Sequence, residues 1–332
     1  MNYFDYSIAN DASDAIESIA LNGHAKLIAG GTNLLDLMKE NILHPDLLVD
    51  INKLRNYQDI FENANGGIRL GALVANADTA YHPLVENRYP LLSKAILAGA
   101  SPQLRNMATN GGNLMQRTRC LYFYDITMPC NKRLPGSGCS AIEGYNRMNA
   151  ILGTSEHCIA VYPSDMSVAL AALEATVIVT GSNGERQIPF EAFHRLPGDT
   201  PHIDNDLAAD ELIVGIDLPA AGFEKHYSYL KIRDRTSYAF ALVSVATGFE
   251  MDSGLITKAR LALGGVAHKP WRKKEAETFL ENKPATEDNF SAAADIVLEG
   301  AKGFGHNDFK IPLAKRAIIR NCFIASKEQV KS

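Results

Sequence analysis

Several residue types are scarce in this chain. Of 332 residues one is tryptophan and five are cysteine, and no apolar run approaches the length of a membrane span. Membrane insertion is therefore not expected. The 33 lysines and arginines nearly balance 38 aspartates and glutamates, and the net charge of -5 gives no overall field that would attract a phosphate backbone. Nucleic acid is not an expected partner. The amino terminus, Met-Asn-Tyr-Phe-Asp-Tyr, has neither the basic head nor the apolar run of a signal peptide, so the chain is not expected to direct its own export. Five cysteines are too few for a disulfide scaffold at this length. Four of them, Cys120, Cys130, Cys139 and Cys158, nevertheless crowd into 39 positions, which points to metal.

The remaining composition, 46% apolar and 21% charged, is that of a soluble globular protein with room for two or three domains. Asn10 or Asp11 can cap a helix whose apolar residues Ala15, Ile16, Ile19 and Ala20 recur at helical spacing. Lys26-Leu27-Ile28-Ala29 reads as a strand, Gly30-Gly31-Thr32-Asn33 as a tight turn, and Leu34 to Met38 as a helix start. Glycines let the backbone approach a ligand, and successive N–H groups at a helix start favour an anion. A second turn of the same kind, Ala108-Thr109-Asn110-Gly111-Gly112-Asn113-Leu114, echoes the first. Two such turns can grip one diphosphate from both sides. Each also has a plain connecting-turn reading, since neither fits G-x-G-x-x-G or the P-loop pattern.

Between and after these turns the pattern is mixed α/β. Leu47 to Ile51 and Ile68 to Val74 read as strands, and Thr79 to Tyr81 and Leu91 to Leu97 as helical. Further on, Ile159 to Tyr162 reads as a strand, with Asp165 capping an apolar helix from Met166 to Leu173. Thr176 to Val179 turns through Gly181-Ser182-Asn183-Gly184 as a hairpin, and Leu212 to Ile216 is another strand. Pro219-Ala220-Ala221-Gly222 marks a domain boundary. Beyond it, His226 to Arg233 alternates, placing Tyr229, Lys231 and Arg233 on one strand face. Phe240 to Val245 and Ala259 to Leu263 are strands. Lys274 to Leu280, Phe290 to Leu298 and Leu313 to Ile324 carry helical spacing, with Cys322 as a core residue. The carboxyl end is thus α+β, with helices segregated from a small sheet.

The cysteine loop is unlike a zinc ribbon or a ferredoxin run, because nine, eight and eighteen residues separate successive cysteines. Four thiolates suit a cubane iron–sulfur cluster, and they suit a structural zinc ion equally well. Reduced structural cysteines are a third reading. Arg117, Arg119, Lys132 and Arg133 are placed to offset thiolate charge. Gly136-Ser137-Gly138-Cys139-Ser140-Ala141 matches G-x-G-x-x-A formally, but Arg133-Leu134-Pro135 before it is no strand, so the dinucleotide reading fails. His157, without a partner histidine, reads as structural.

Taken together, Ala29-Gly30-Gly31-Thr32-Asn33-Leu34, Thr109 to Leu114, Ser164-Asp165 and Tyr229-x-Lys231-x-Arg233 resemble the FAD-binding subunits of the molybdenum hydroxylases, the family of xanthine dehydrogenase and carbon monoxide dehydrogenase. The resemblance spans nearly the whole chain. It implies an α+β protein: a two-part FAD-binding domain of the vanillyl-alcohol-oxidase/xanthine dehydrogenase type over residues 1–221, with subdomains of about 1–55 and 56–221. A small α+β carboxyl-terminal domain with an antiparallel sheet and helices follows over 222–332. It also implies FAD contacts from Lys26, Leu27, Ile28, Ala29, Gly30, Gly31, Thr32, Asn33 and Leu34. Thr109, Gly112, Asn113, Leu114, Ser164, Asp165 and Lys231 complete that set. No catalytic residue is implied in this chain.

Most family members lack the cysteine loop, here an insertion over about 117–158. It is similar to one found in two branches, the periplasmic aldehyde oxidoreductase flavoproteins and the β subunits of 4-hydroxybenzoyl-CoA reductase, where it carries a [4Fe–4S] cluster. By that likeness Cys120, Cys130, Cys139 and Cys158 are the cluster ligands. Arg117 to Cys120, Pro129 to Cys139 and Ser237 to Leu242 match the aldehyde branch. The expected role is an electron-transfer subunit that receives electrons from a [2Fe–2S] small subunit serving a molybdopterin-binding large subunit, and passes them to an external acceptor. Co-export to the periplasm with a signal-bearing partner is expected, with a cytoplasmic location as the alternative. A hydroxybenzoyl-CoA reductase subunit and a zinc-stabilised non-enzymatic binding module are the competing functions.

Overall fold

The computed structural model describes residues 2–329, so the outermost limits of the expected domains, Met1 and residues 330–332, lie outside the described residues. Three sheets follow one another along the chain. The first is parallel: β1 (Asp5–Ile8), β2 (Lys26–Ile28) and β3 (Leu47–Asp50) stand in the order β1-β3-β2. The helix Ala12–Leu21 joins β1 to β2, and Asp11 caps it by accepting from the Asp14 N–H. After β2 the glycine turn leads into the helix Leu34–Lys39, as a parallel connection requires.

The second sheet is antiparallel, with β4 (Ile60–Glu62), β5 (Ile68–Gly71), β6 (Thr176–Gly181), β7 (Gly184–Pro189) and β8 (Leu212–Leu218) ordered β4-β5-β8-β6-β7. The third, also antiparallel, holds β9 (His226–Ile232), β10 (Val243–Asp252), β11 (Leu255–Gly264), β12 (Trp271–Arg272) and β13 (Lys283–Pro284). The helix Lys310–Ser326 lies across this sheet. Its buried Asn321 donates to the Ser228 and Val245 carbonyls and the Thr247 hydroxyl, and Cys322 is fully buried beside it. Burial pushes that thiol up to about 12, as befits a core residue.

Between the second and third sheets sits the helix Asp165–Ala172, every residue of which is buried. A helix apolar all round belongs inside a core, and this one shares a core with the helix Pro90–Ala98 and with Ala246 and Ala262 of the third sheet. The α+β architecture is the one expected.

Three local expectations change. Ile159 to Tyr162 is not a strand. Its backbone hydrogen bonds go to single partners, Ala150 N–H to Ile159 O and Tyr162 N–H to Ala267 O, so no ladder forms. The cap of the buried helix is Ser164, whose hydroxyl accepts from the Ser167 N–H, and Asp165 is the first helical residue. The strand expected over Phe240 to Val245 begins only at Val243, because Tyr238 takes a left-handed φ of 50° in the turn before it.

Candidate cofactor site

The two glycine turns meet. A cavity of ≈ 440 Å³ is walled by Lys26 to Leu34 on one side and by Thr109, Gly111, Gly112, Met115 and Arg117 on the other. Their approach explains the first glycine: a Cβ on Gly30 would lie 1.7 Å from the Met107 carbonyl oxygen, at the end of the helix Pro102–Met107. Gly31 has φ +69°, the left-handed region in which glycine carries no penalty. Thr109 caps the short helix Asn110–Leu114 by accepting from the Gly112 N–H. Asn33 receives the Arg117 backbone N–H at 2.8 Å on its Oδ1, while its buried Nδ2 finds no hydrogen-bond partner. A turn closed to a Cβ at Gly30 and an unanswered donor on the cavity wall fit a polar group held between the two turns.

The remaining expected cofactor residues lie apart from this cavity. Ser164 and Asp165 line a second one of ≈ 160 Å³, with Thr118, Arg119, Cys120, Tyr162, Phe240 and Ser244. Asn113, next to Gly112 of the first cavity, reaches the second: its Oδ1 accepts from the Ser164 hydroxyl at 2.6 Å, and its Nδ2 donates to Asn76. Leu114 is buried, and its carbonyl accepts from the Tyr162 hydroxyl and from His194. Lys231 lines neither cavity. It lies behind Asp165 in an ion pair of 2.8 Å whose side chains are 4% and 9% exposed, and it also donates to the Ala98 carbonyl. Tyr229 donates to the other Asp165 oxygen at 2.7 Å, and Arg233 joins Lys231 on Ala98. Strand alternation thus brings Tyr229, Lys231 and Arg233 to one place. The two cations complement the carboxyl end of the Pro90–Ala98 helix.

The four loop cysteines are all unoxidised and form a chain of neighbours. Cys130 and Cys139 face each other across an antiparallel backbone bridge, Cys139 hydrogen-bonds Cys158, and Cys120 feels the charge of Cys130. One hydrogen-bond donor from the loop reaches a sulfur: the Asn149 amide lies 3.5 Å from Cys120 Sγ. The Cys158 hydrogen bond draws the Cys139 thiol below the usual thiol range, while burial holds Cys120 above it. Among the described residues, no group of three or more His, Cys, Asp or Glu side chains is arranged to hold a metal ion. A cubane cluster takes one thiolate at each of four irons, and four unoxidised cysteines on one loop, with the Asn149 amide at Cys120, are the ligand type such a cluster would need.

The loop cations do less charge balancing than their number suggests. Arg117, at 2.6 Å, and Lys132 both bind the half-buried Asp204, whose carboxyl they hold below the usual range against the cost of desolvation. Arg133 donates to the carbonyls of Tyr122, Phe123 and Met128, pinning the loop to itself. Arg119 donates to the Arg117 carbonyl and stacks over Phe240. Lys132 alone among them bears on a cysteine, favouring the Cys158 thiolate. His157 is half-exposed, near Glu156 and Asp199, and touches no cysteine.

Comparison with known proteins gives this geometry its context. A family described as the FAD binding domain in molybdopterin dehydrogenase matches residues 2–221, and the CO dehydrogenase flavoprotein C-terminal domain matches 227–320. The chain belongs to the FAD-binding medium subunits of the molybdenum hydroxylases. It is 49% identical to the aldehyde oxidoreductase FAD-binding subunit PaoB of Escherichia coli K12, over 96% of each chain. It is also 27% identical to the glyceraldehyde dehydrogenase medium chain of Sulfolobus acidocaldarius, over 86% of this chain and 83% of that one. The structure of carbon monoxide dehydrogenase from Hydrogenophaga pseudoflava lacking the Mo-pyranopterin moiety superposes with a TM-score of 0.76 at 26% identity, covering 98% of this chain and 97% of that one. The molybdenum hydroxylase subunit is therefore part of an oxidoreductase, and the reading of the whole chain as a non-enzymatic binding module is set aside.

Sequence reasoning missed two residues that reach the cysteines, Asn149 at Cys120 and His268 at Cys158. His268 is buried, and its Nε2 lies 3.3 Å from the Cys158 sulfur, 110 residues away. Burial draws its imidazole down to about 3. No spacing rule signals it, because it comes from the carboxyl-terminal domain.

Proposed function

We propose that this subunit is the FAD and [4Fe–4S] electron-transfer chain of a heterotrimeric, molybdenum-containing aldehyde oxidoreductase. It would receive electrons from a [2Fe–2S] small partner serving a molybdopterin-binding large partner, and pass them to an external acceptor. FAD, when bound, supplies the exchange between one-electron and two-electron chemistry, and the protein supplies position and electrostatics. The two glycine turns would hold the FAD diphosphate. Asp165, with Lys231 and Tyr229 behind it, would orient the cofactor in the second cavity. The observation that carries the two-cofactor reading is Cys120, which lines that second cavity and also stands in the chain of cysteines. Groups held at the two places would be neighbours.

Likeness over 96% of both chains to a subunit named for aldehyde oxidation favours this reading over a hydroxybenzoyl-CoA reductase. Anaerobic mixing of the assembled complex with an aldehyde should bleach the flavin absorption, and the isolated subunit should stay oxidised. Bleaching of the subunit alone, or none in the complex, would refute it. Carriage to the periplasm by a signal-bearing partner belongs to the same proposal. Fractionation that left the assembled complex in the cytoplasm would remove it.

A further inference from the structure

His268 is held in place with little freedom. It follows β11 and the turn at Gly265, whose φ of +74° and approach to the Ala241 and Leu242 carbonyls leave no room for a Cβ. The next two residues are pinned from the cysteine-loop side: Val266 O accepts from the Ile151 and Leu152 N–H groups, and Ala267 O from the Tyr162 N–H. The imidazole then points at Cys158 with its Nε2 at 3.3 Å, and its buried Nδ1 has no partner. That accounting selects the tautomer. A buried N–H without an acceptor costs more than a bare ring nitrogen, so the hydrogen belongs on Nε2, where it meets sulfur.

We infer that His268 is a positioning residue for the metal site, a neutral N–H donor from the carboxyl-terminal domain that sets the electron affinity of the group ligated through Cys158. The inference rests on the [4Fe–4S] reading above. A group held there would exchange one electron, with partner and flavin as donor and acceptor, and His268 would keep its proton throughout. An N–H aimed at a ligating sulfur withdraws negative charge from it, which favours the reduced, more negative state and raises the reduction potential. His268 would act through the Cys158 sulfur and not as a ligand itself, so it modulates the site rather than makes it.

The test uses the assembled complex with His268→Phe, which keeps a ring of similar bulk without a donor, and His268→Gln, which keeps a donor. Iron, sulfide and FAD should remain at wild-type levels in both. In His268→Phe the iron chromophore should become about tenfold harder to reduce, about 59 mV for a one-electron couple, with the flavin couple unmoved. His268→Gln should recover part of the shift. Retained iron with an unshifted potential in His268→Phe would overturn the inference. Should that variant fail to hold iron, pulsed magnetic resonance on the reduced wild-type complex labelled with 15N-histidine decides: coupling from one histidine nitrogen to the iron spin supports the contact, and its absence overturns it. A wild-type complex without iron would instead overturn the cluster reading itself.

Discussion

Gly30 shows how one residue can decide a binding site by what it lacks. The second glycine turn approaches so closely that any side chain at this position meets the Met107 carbonyl, so the two walls of the larger cavity stay in register only around a glycine. Gly30→Ala should therefore open the cradle and weaken FAD retention tenfold or more, about 1.4 kcal/mol or beyond. Flavin content of the purified complex reads this directly. Gly23→Ala, where nothing lies within 4 Å of the added methyl, is the control that should keep its FAD. Equal flavin in both variants would show that the close approach plays no part in binding. The turn itself was legible in the sequence from its residue types. The reason for Gly30 was not, because Met107 enters from a separate helix.

At the scale of elements, the short helix Asn110–Leu114 depends on a partner far along the chain. His194 donates through Nε2 to Leu114 O near its carboxyl end, and it stands among Tyr162, Phe190 and Phe193 in complete burial. Burial draws this imidazole down to about 4 from 6.5. Between those values the unfolded chain binds the proton that the folded chain refuses, so stability rises with pH across the window and is lost as pH falls from 6.5 to 4. The full effect is about 3 kcal/mol. The thermal midpoint of flavin release from the complex should fall over that range, and His194→Gln, which keeps a donor without titrating, should flatten the fall. An unchanged slope in the variant would place the acid sensitivity elsewhere.

Which elements could be read in advance follows from the same physics. Strands with a ladder partner, such as β2, β3 and β9, and helices with one apolar stripe stood where periodicity put them, within a residue or a few. Ile159 to Tyr162 has strand composition without a strand neighbour, and composition does not show that. Ser164 rather than Asp165 caps the buried helix, and adjacent capping residues look alike in sequence.

At the scale of the whole molecule, the carboxyl-terminal residues strap down the end of the cysteine loop. Asn146 donates to Phe304 O, Asn307 to the Asn149 and Ala150 carbonyls, and the Lys302 N–H to Ile151 O. Buried Lys310 gathers the carbonyls of Met148, Asn149 and Gly265. With His268 on Cys158, these contacts make the carboxyl-terminal domain part of the cysteine site. None was legible in sequence, since most of the partners lie more than a hundred residues apart. The crowding of the four cysteines is legible in the sequence, and it is what makes a metal ligand set the expectation for this loop.

The central claim is that flavin and an iron–sulfur cluster share this chain, and cofactor analysis of the complex tests it most directly. Wild type and Cys130→Ser would be purified anaerobically, with FAD, iron, zinc and acid-labile sulfide measured on each sample. The account predicts equal FAD and partner iron in both, with the variant short of about four iron and four sulfide per copy, the content of one cubane cluster. Equal iron in both, or zinc lost in place of iron, would contradict it.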